Sequence, residues 1–276
     1  MTRAAAAAAC GLLLAATGCG ASELATADSV LFPEPARNAV TFWGHACCYI
    51  DVDGFGIVTD PVFERSLPLR RRKVGAPPPA HYSGARVVVI SHAHHDHLSP
   101  ATLATFPRGT VVLCPEPAAK HVAELGLEVR AMAPGEAVDY PGGRIVAVAA
   151  HHMGGRWGLK GRADGRALGW VVETPYGNVY YSGDTNYFRG FAEVGNRYRP
   201  DIAILNISGH LHGTDAVFAA FDTRARTVIP THHGAYGWLF LGERTEPRDA
   251  EEMQRLLGPL LVTLDLGESL PLPLAR

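Results

Sequence analysis

The chain has 276 residues, of which 47% are hydrophobic and 19% are charged, so it can bury a sizeable core and is neither disordered nor fibrous. Its 25 Lys and Arg residues against 27 Asp and Glu residues give a net charge of -2. That balance argues against a nucleic-acid partner, because such proteins carry a strong basic excess. The 13 histidines are many for this length, and their clustering decides the functional interpretation.

The first 18 residues have the form of a secretory signal peptide. Arg3 supplies the positive start, and a run of small and apolar residues follows from Ala4 to Gly18. The run is too short to span a bilayer as a permanent helix. Small residues just before Cys19 resemble a bacterial lipobox, in which the thiol is lipidated and becomes the new N-terminus. The alternative is an ordinary signal peptide with an incidental cysteine.

The segment behind Cys19 is small and polar and predicts a lipidated tether over residues 19–37. Residues 38–276 are then expected to form one folded domain. Gly20 and Ala21 carry no retention signal of the aspartate type. We therefore expect an exported lipoprotein, anchored in a membrane and facing the periplasm or the cell exterior, with the outer membrane favoured.

Short apolar runs bounded by turn residues recur along the domain and predict a protein rich in strands. Asp53-Gly54 predicts a hairpin turn between two of them. Ser99 is a predicted N-cap, with Pro100 at the first helical position. The predicted strands are residues 39–43, 47–52, 56–59, 87–90, 110–113, 144–149, 169–173, 179–181, 202–206, 228–230 and 260–264, and the predicted helices are 101–106, 115–125, 214–221 and 247–257.

Early strands follow one another as hairpins, whereas later strands alternate with helices. This order predicts an α/β fold with two sheets at the centre and helices outside, which is a four-layer αββα sandwich. A long Pro- and Gly-rich loop is expected over residues 67–84. Its basic run Arg70–Lys73 indicates a solvated loop or, alternatively, a contact with a phosphate-bearing substrate. Cys47, Cys48 and Cys114 are expected to be buried thiols, because no CxxC pair is present.

A cluster of histidines follows the apolar strand at residues 87–90. The segment 92–97 reads His-Ala-His-His-Asp-His. Imidazole and carboxylate groups are the ligands that zinc and iron prefer in hydrolytic sites. A tight turn after a strand can aim alternate side chains at one point and the next pair at a second point. The pattern therefore predicts two metal ions a few ångströms apart.

The remaining ligands must come from other strand ends, and three such ends offer suitable side chains. His151 and His152 follow one predicted strand, Asp184 follows another, and His232 and His233 follow a third. Each places a ligand type just beyond the carboxyl end of its strand, as the first motif does.

In this order the motifs resemble the metallo-β-lactamase-fold hydrolases over about residues 38 to 265. The opening Trp43-Gly44-His45-Ala46, the segment 56–63 and the proline run 77–79 resemble one branch of that family. This branch contains N-acyl-phosphatidylethanolamine-hydrolysing phospholipase D and its bacterial relatives, with ascorbate-6-phosphate lactonases nearby.

The resemblance implies a role for each motif residue. His92, His94 and His152 would hold one metal ion, Asp96, His97 and His232 would hold the second, and Asp184 would bridge both. A water between two dications loses its proton near neutral pH and becomes the nucleophile. The resemblance favours His152 over His151 and His232 over His233.

Three further polar residues have expected roles. In the phospholipase-D-like relatives a histidine at the place of His210 faces the substrate, where it would donate to a phosphoryl oxygen or protonate a leaving group; an exposed loop histidine is the alternative. Asp60 is expected to accept a proton from a ligand imidazole, and His45 to orient the opening hairpin. His81, His95 and His121 are expected on the surface.

The combined expectation is a hydrolase with two Zn²⁺ ions, iron or manganese being the alternative in one site. Its substrate is expected to be a phosphodiester, in a phospholipase-D-like reaction on a lipid such as N-acyl-phosphatidylethanolamine. The alternatives are a lactonase or another ester hydrolase with the same metals, and a non-enzymatic lipoprotein with a vestigial site. Catalytic roles are predicted for Asp96, Asp184 and His210. The sequence leaves the oligomeric state open.

Overall fold

The computed structural model describes residues 23–152, 156, 167–207, 210–238 and 253–273. The predicted signal peptide and Cys19 lie outside these residues. The strands are β1 Ala39–Gly44, β2 Cys47–Val52, β3 Phe55–Thr59, β4 Ser66–Leu67, β5 Arg70–Arg72, β6 Ala85–Val89, β7 Val111–Pro115, β8 Glu128–Met132, β9 Ala137–Tyr140, β10 Gly143–Ala149, β11 Leu168–Glu173, β12 Val179–Tyr181, β13 Ile202–Asn206, β14 Thr227–Thr231, β15 Tyr236–Trp238 and β16 Ser269–Pro271.

The helices are short compared with the strands. They are α1 Pro100–Leu103, α2 Glu116–Ala119, α3 Gly190–Tyr198 and α4 Gly213–Thr223, together with 3-10 turns at Pro79–Tyr82, Ala123–Leu125 and Gly258–Leu260. Residues 253–257 are also helical. Within the described residues, no helix is long and apolar enough to cross a membrane.

Two large sheets form the centre of the molecule. The first has the strand order β16-β1-β2-β3-β6-β7-β8, and the second has the order β14-β13-β12-β11-β10-β9. A third sheet consists of three short strands in the order β15-β5-β4. In the second sheet β12, β13 and β14 are parallel neighbours. Their carboxyl ends therefore meet at one edge, where the candidate site is found.

Alternation of side chains along the strands builds the layers. Phe42 of β1 and Tyr181 of β12 both point into the central core between the two sheets. Their chain neighbours Trp43 and Tyr180 point the opposite way, into two separate outer cores. The outer core of the first sheet is closed by α1 and α2, and that of the second sheet by α3 and α4. The predicted four-layer sandwich is confirmed.

Several local predictions are confirmed by the structure. Asp53 and Gly54 have φ values of 54° and 87°, as the predicted hairpin turn between β2 and β3 requires. The Ser99 side chain accepts a 3.0 Å hydrogen bond from the Thr102 amide and caps α1 as predicted. Cys47, Cys48 and Cys114 are buried thiols. Burial raises the pKa of each of them.

Several element predictions were wrong. The predicted strand 260–264 is not a strand, because the chain makes a 3-10 turn at Gly258–Leu260 and then a single bridge from Leu261 to Val228. The predicted helix 115–125 is broken into α2 and a 3-10 turn. For the predicted helix 247–257, residues 247–252 lie outside the described part. Helix α3 was not predicted, because its glycines, Gly190 and Gly195, disfavour a helix locally.

The folded contacts begin earlier than the boundary predicted at residue 38. Leu24 forms an antiparallel bridge with Glu64, and Ala27 forms a parallel bridge with Ala76. Phe32 is completely buried. The second half of the predicted tether thus packs on the domain, because its few apolar residues lie against the region around β4.

Candidate metal centre

The histidine motif forms the loop between β6 and α1. Ile90 and Leu98, at the two ends of this loop, are completely buried and fix its ends in the outer core of the first sheet. The Arg156 guanidinium donates 2.9 Å hydrogen bonds to the carbonyl oxygens of Ala93 and Leu98. A single cation thus holds both limbs of the loop, so its side chains project from a fixed backbone.

His92, His94 and His152 form the first cluster. The His92 Nε2 and His94 Nδ1 atoms are 2.8 Å apart, and His152 Nε2 lies 3.4 Å from the same His94 nitrogen. All three ligand atoms lie within 4.8 Å of one another. Burial lowers the pKa of all three imidazoles, to about 4 for His152. The cluster therefore presents neutral rings near pH 7.

The protonation of His92 is fixed by its neighbours. Ser91 Oγ donates to Asp60 Oδ2 at 2.5 Å, so it accepts the hydrogen bond from His92 Nδ1 at 2.9 Å. His92 Nε2 is then a lone pair aimed at the other two rings. Three converging imidazole nitrogens cannot satisfy one another with the protons available, whereas one soft divalent cation satisfies all three. The donor set fits a zinc-like ion.

His45, Asp96, His97 and His232 form the second cluster, which also lies within 4.8 Å. His97 Nε2 is 3.2 Å from His232 Nε2. Asp96 Oδ2 is 3.3 Å from His45 Nε2 and 3.8 Å from His232 Nε2. Imidazole nitrogens and a carboxylate oxygen again form a suitable donor set for a divalent ion. His45 was predicted only to orient the hairpin, and its membership of this cluster is new.

Asp184 joins the second cluster and lies beside the first. Its Oδ2 is 3.4 Å from His97 Nε2, and its Oδ1 is 3.6 Å from His232 Nε2. Burial opposes its ionisation, but the charges of His232 and His97 hold the Asp184 pKa well below its ordinary value. The Asn206 amide donates to Asp184 Oδ1 at 3.1 Å and orients the carboxylate. The same negative charge favours protonation of His92 and His152, whereas burial, which has the larger effect, lowers their pKa values.

Asp60 holds the second cluster in place through a hydrogen bond to one of its histidines. This buried carboxylate accepts hydrogen bonds from His97 Nδ1 at 2.7 Å, the Ser91 amide at 2.7 Å and the Tyr181 hydroxyl at 2.5 Å. The prediction that Asp60 accepts a proton from a motif imidazole is confirmed. The contact fixes the His97 ring with its Nε2 toward the cluster, which is how buried carboxylates orient metal-binding histidines. Tyr181 was missed because a tyrosine in an apolar strand gives no signal of such a contact.

Strained backbone carries two members of the second cluster. His45 and His232 have φ values of 57° and 76°, in the left-handed region that histidine seldom adopts. The His45 amide donates to the His233 carbonyl, and the His232 amide donates to the His45 carbonyl, each at 2.6 Å. The ring centroids of His45 and His232 are 4.0 Å apart. These reciprocal bonds hold the two turns in the unusual conformation.

The adjacent histidines are separated by the structure. His151 is exposed, and its ring packs on Phe188, whereas His152 is buried in the first cluster. His233 Nε2 lies 3.0 Å from the Pro230 carbonyl oxygen, away from the second cluster that contains His232. The structure thus brings His92, His94, Asp96, His97, His152, Asp184 and His232 to one edge of the two sheets.

Four of the remaining histidines, His81, His95, His121 and His210, were given expected positions above. The exposed His210 lies beside the first cluster, with its ring centroid 4.4 Å from that of His152. His95, His81 and His121 are only half-buried and lie outside both clusters. The first of them is more enclosed than a surface side chain, and burial lowers its pKa to about 4.

The basic run is not the solvated loop that the sequence indicated. Arg70–Arg72 form β5, and the Arg70 guanidinium donates to Asp96 Oδ2 at 2.6 Å. The Arg72 side chain is buried, donates to the Val62 and Gly75 carbonyl oxygens and packs on the Tyr236 ring. Arg71 alone among the three is exposed. Alternation along a strand explains this outcome, but a three-residue strand of arginines is not recognisable in the sequence.

Comparisons with known proteins agree with this geometry. The profile of the β-lactamase superfamily domain matches residues 56–233. A UPF0173 metal-dependent hydrolase from Pyrococcus furiosus is 30% identical over 243 residues, covering 84% of this chain and 99% of its own. A similar hydrolase from Exiguobacterium is 28% identical over 200 residues, covering 71% of this chain and 86% of its own.

A solved structure gives the same fold. The metallo hydrolase Igni18 from Ignicoccus hospitalis aligns with a TM-score of 0.65 and 23% identity, covering 84% of this chain and 97% of its own. These likenesses confirm the predicted fold and the metal-dependent hydrolase class. Placement in the phospholipase D branch stays a prediction.

Proposed function

We propose a specific reaction for this chain, which belongs to the β-lactamase superfamily and is a metal-dependent hydrolase. Within that class, its reaction is hydrolysis of a phosphodiester with two metal ions, one at each cluster. The ions are zinc, with iron or manganese as the alternative at one of them. When bound, such ions supply an activated water and positive charge at the attacked centre.

The observation that favours an anionic substrate is the position of Arg70. Its guanidinium contacts the second cluster through Asp96 and is 24% exposed at the side chain. An arginine fork matches the paired oxygens of a phosphate or carboxylate. A cation at the mouth of the site attracts and orients a phosphodiester, whereas a neutral lactone gains little from it. This contact favours the phosphodiester over the lactone alternative.

His210 is proposed to assist the leaving group. It is exposed beside His152 on the first cluster, so a substrate held across both clusters lies within its reach. A phospholipase-D-type cleavage expels an alkoxide, which needs a proton, and an imidazole near neutral pH supplies one. Asp96 and Asp184 are proposed to act through their contacts with the cluster histidines, as ion ligands rather than as acids.

The substrate is proposed to be a phospholipid such as N-acyl-phosphatidylethanolamine, encountered at a membrane. The location rests on the predicted signal peptide and lipidated Cys19, which make the protein an exported lipoprotein, with the outer membrane preferred. Replacing Cys19 by Ala is expected to move the protein from the membrane fraction to the soluble or unprocessed pool. Unchanged fractionation and mass would contradict the anchor.

A substrate panel tests the reaction. Metal-loaded protein is assayed against a bis-aryl phosphodiester, a phosphatidylethanolamine derivative, a homoserine-type lactone and a cephalosporin, with Asp184→Asn as the inactive control. We expect the phosphodiesters to be cleaved fastest, with release of the alcohol. Faster turnover of the lactone would replace the phosphodiesterase proposal by the lactonase alternative.

A further inference from the structure

The described chain begins against the hairpin that leads to the metal clusters. The Ala25 amide donates to the Phe63 carbonyl and the Arg65 amide donates to the Glu23 carbonyl, each at 2.8 Å. Arg65 Nη1 also lies 3.1 Å from Glu23 Oε1. The pairing is antiparallel. Moving from Glu23 toward the N-terminus therefore corresponds in direction to moving from Arg65 toward the tip of the β4–β5 hairpin.

The length of the preceding chain limits where the anchor can lie. Four residue steps separate Cys19 from Glu23, and an extended chain covers at most about 14 Å in that distance. Four residue steps also separate Arg65 from Leu69, at the tip of the hairpin. A lipid carried by Cys19 would thus lie within about 14 Å of Glu23, which pairs with the strand that leads into this hairpin.

The hairpin tip has the properties of a surface that meets a bilayer. Leu69 is 58% exposed, although it is a large apolar side chain. Its φ of 63° lies in the left-handed region, which is unfavourable for leucine. The strained backbone thus presents an apolar side chain to solvent. Arg71 is exposed two residues further along β5. An apolar tip flanked by a basic side chain suits a leaflet that contains anionic lipid.

The same hairpin leads directly to the site. Arg70, which follows Leu69, contacts Asp96 in the second cluster at 2.6 Å. We propose that the β4–β5 hairpin, through Leu69 and Arg71, rests on the phospholipid bilayer that anchors Cys19, while Arg70, on the opposite face of β5, keeps its contact with the second cluster. This docking surface rests on the lipid anchor proposed above, but it does not depend on which bond the protein cleaves.

Depth-dependent quenching tests the docking surface without an activity assay. Lipidated protein is reconstituted in phosphatidylethanolamine–phosphatidylglycerol vesicles, with a single environment-sensitive dye on Leu69→Cys. The other cysteines of the described domain are buried, so labelling is directed to the new thiol. Matched probes are Leu256→Cys and Phe221→Cys, which replace residues 42% and 53% exposed on the helices of the second sheet.

The expected result is a blue-shifted emission at position 69 that spin-labelled lipid quenches at least about twofold more than at positions 256 and 221. Such contrast is expected because an apolar tip enters the boundary between headgroups and acyl chains. Stronger quenching at position 221, equal quenching at all three positions, or a protein without lipid on Cys19 would overturn the proposal.

A second variant tests the basic side chain. Arg71→Glu is expected to reduce quenching of the dye at position 69, because one basic residue near an anionic surface is worth about 1 kcal/mol, or roughly fivefold in occupancy. Arg189→Glu is the control, since that side chain is also exposed but lies at the start of α3. Equal effects of the two charge reversals would remove Arg71 from the docking surface.

Discussion

The two clusters differ electrically at one histidine, His97, because burial lowers the pKa of the other two second-cluster imidazoles, His45 and His232, as it does in the first cluster. His92, His94 and His152 contact mainly one another, and burial keeps them neutral. In the second cluster His97 lies among carboxylates. Burial opposes its protonation, but Asp184 and Asp96 and the hydrogen bond to Asp60 raise the His97 pKa well above its ordinary value.

The difference shows how each cluster is held together. The second cluster satisfies its polar atoms through ion pairs and hydrogen bonds between its own members, Asp60 and Arg70. Among the described residues, His94 Nε2 and His152 Nδ1 of the first cluster are buried without a hydrogen-bond partner, and the opposite nitrogens converge on one point. The first cluster therefore depends more strongly on a bound cation than the second, and substitutions distinguish the two.

The largest expected effect is at Asp184, whose charge acts on both clusters. Asp184→Asn keeps an oxygen for the Asn206 amide, so the fold is expected to survive. It removes the negative charge that contacts His97 and His232 and acts on both clusters. Turnover is expected to fall about a thousandfold or more, since the ions contribute several kcal/mol to the transition state. Circular dichroism, elemental analysis and kinetics on the same preparation measure the effect.

A matched control is available on the far side of the second sheet. Asp139→Asn changes an exposed aspartate that pairs with Arg144, and activity and metal content are expected to stay within about twofold. Full activity of Asp184→Asn with two bound ions would contradict the shared role of this carboxylate.

The next effect is expected on the first-cluster side, at His210. If its imidazole protonates the leaving alkoxide, His210→Ala slows an alkyl phosphodiester by roughly a hundredfold to ten-thousandfold. An activated aryl ester, which needs no proton, is expected to lose far less. His151→Ala is the control, because that histidine is also exposed nearby. Equal losses on both esters would indicate positioning instead of acid catalysis.

The convergence of the candidate ligands was largely predictable from the sequence, because a strand end followed by histidine or aspartate constrains the geometry. Strands β6, β10, β12 and β14 place their following residues at one edge, as their spacing implied. The choice of His152 and His232 came from family resemblance, since neighbouring residues both follow the strand and periodicity alone does not separate them.

What surrounds the ligands was less predictable. Arg70 comes from a separate small sheet whose strands of two or three residues leave no periodic pattern. Tyr181 and Asn206 act through side chains that resemble ordinary residues of buried strands. Their contacts depend on how the sheets pack, and neighbouring positions in the sequence carry no information about that packing. His45 was noticed, but its approach to Asp96 depends on a left-handed turn.

A smaller and more selective effect is expected at Asp60. Asp60→Asn weakens the acceptor that orients His97, and losing such an outer contact typically costs 10- to 100-fold in metal affinity. The second ion is expected to weaken by about that factor, and the first by less, because Asp60 is hydrogen-bonded directly to His97, whereas its hydrogen-bonded path to His92 runs through the Ser91 hydroxyl. Stepwise metal titration against a chromophoric chelator separates the two affinities. Equal weakening of both ions would show that the clusters are not held independently.

The smallest expected effect is at Arg70, and it separates substrate recognition from metal binding. Arg70→Gln removes a charge-assisted contact to the substrate, which is expected to raise KM for an anionic phosphodiester about tenfold with little change in kcat. A neutral lactone is expected to change by less than about twofold. Arg71→Gln on the opposite face of β5 is the matched control for soluble substrates. If both substrates lose activity together with the second ion, Arg70 acts by holding Asp96 in position, and the second cluster then requires an outside cation to keep its geometry. If only the phosphodiester is affected, that cluster holds its own geometry, and Arg70 selects the charge of the substrate.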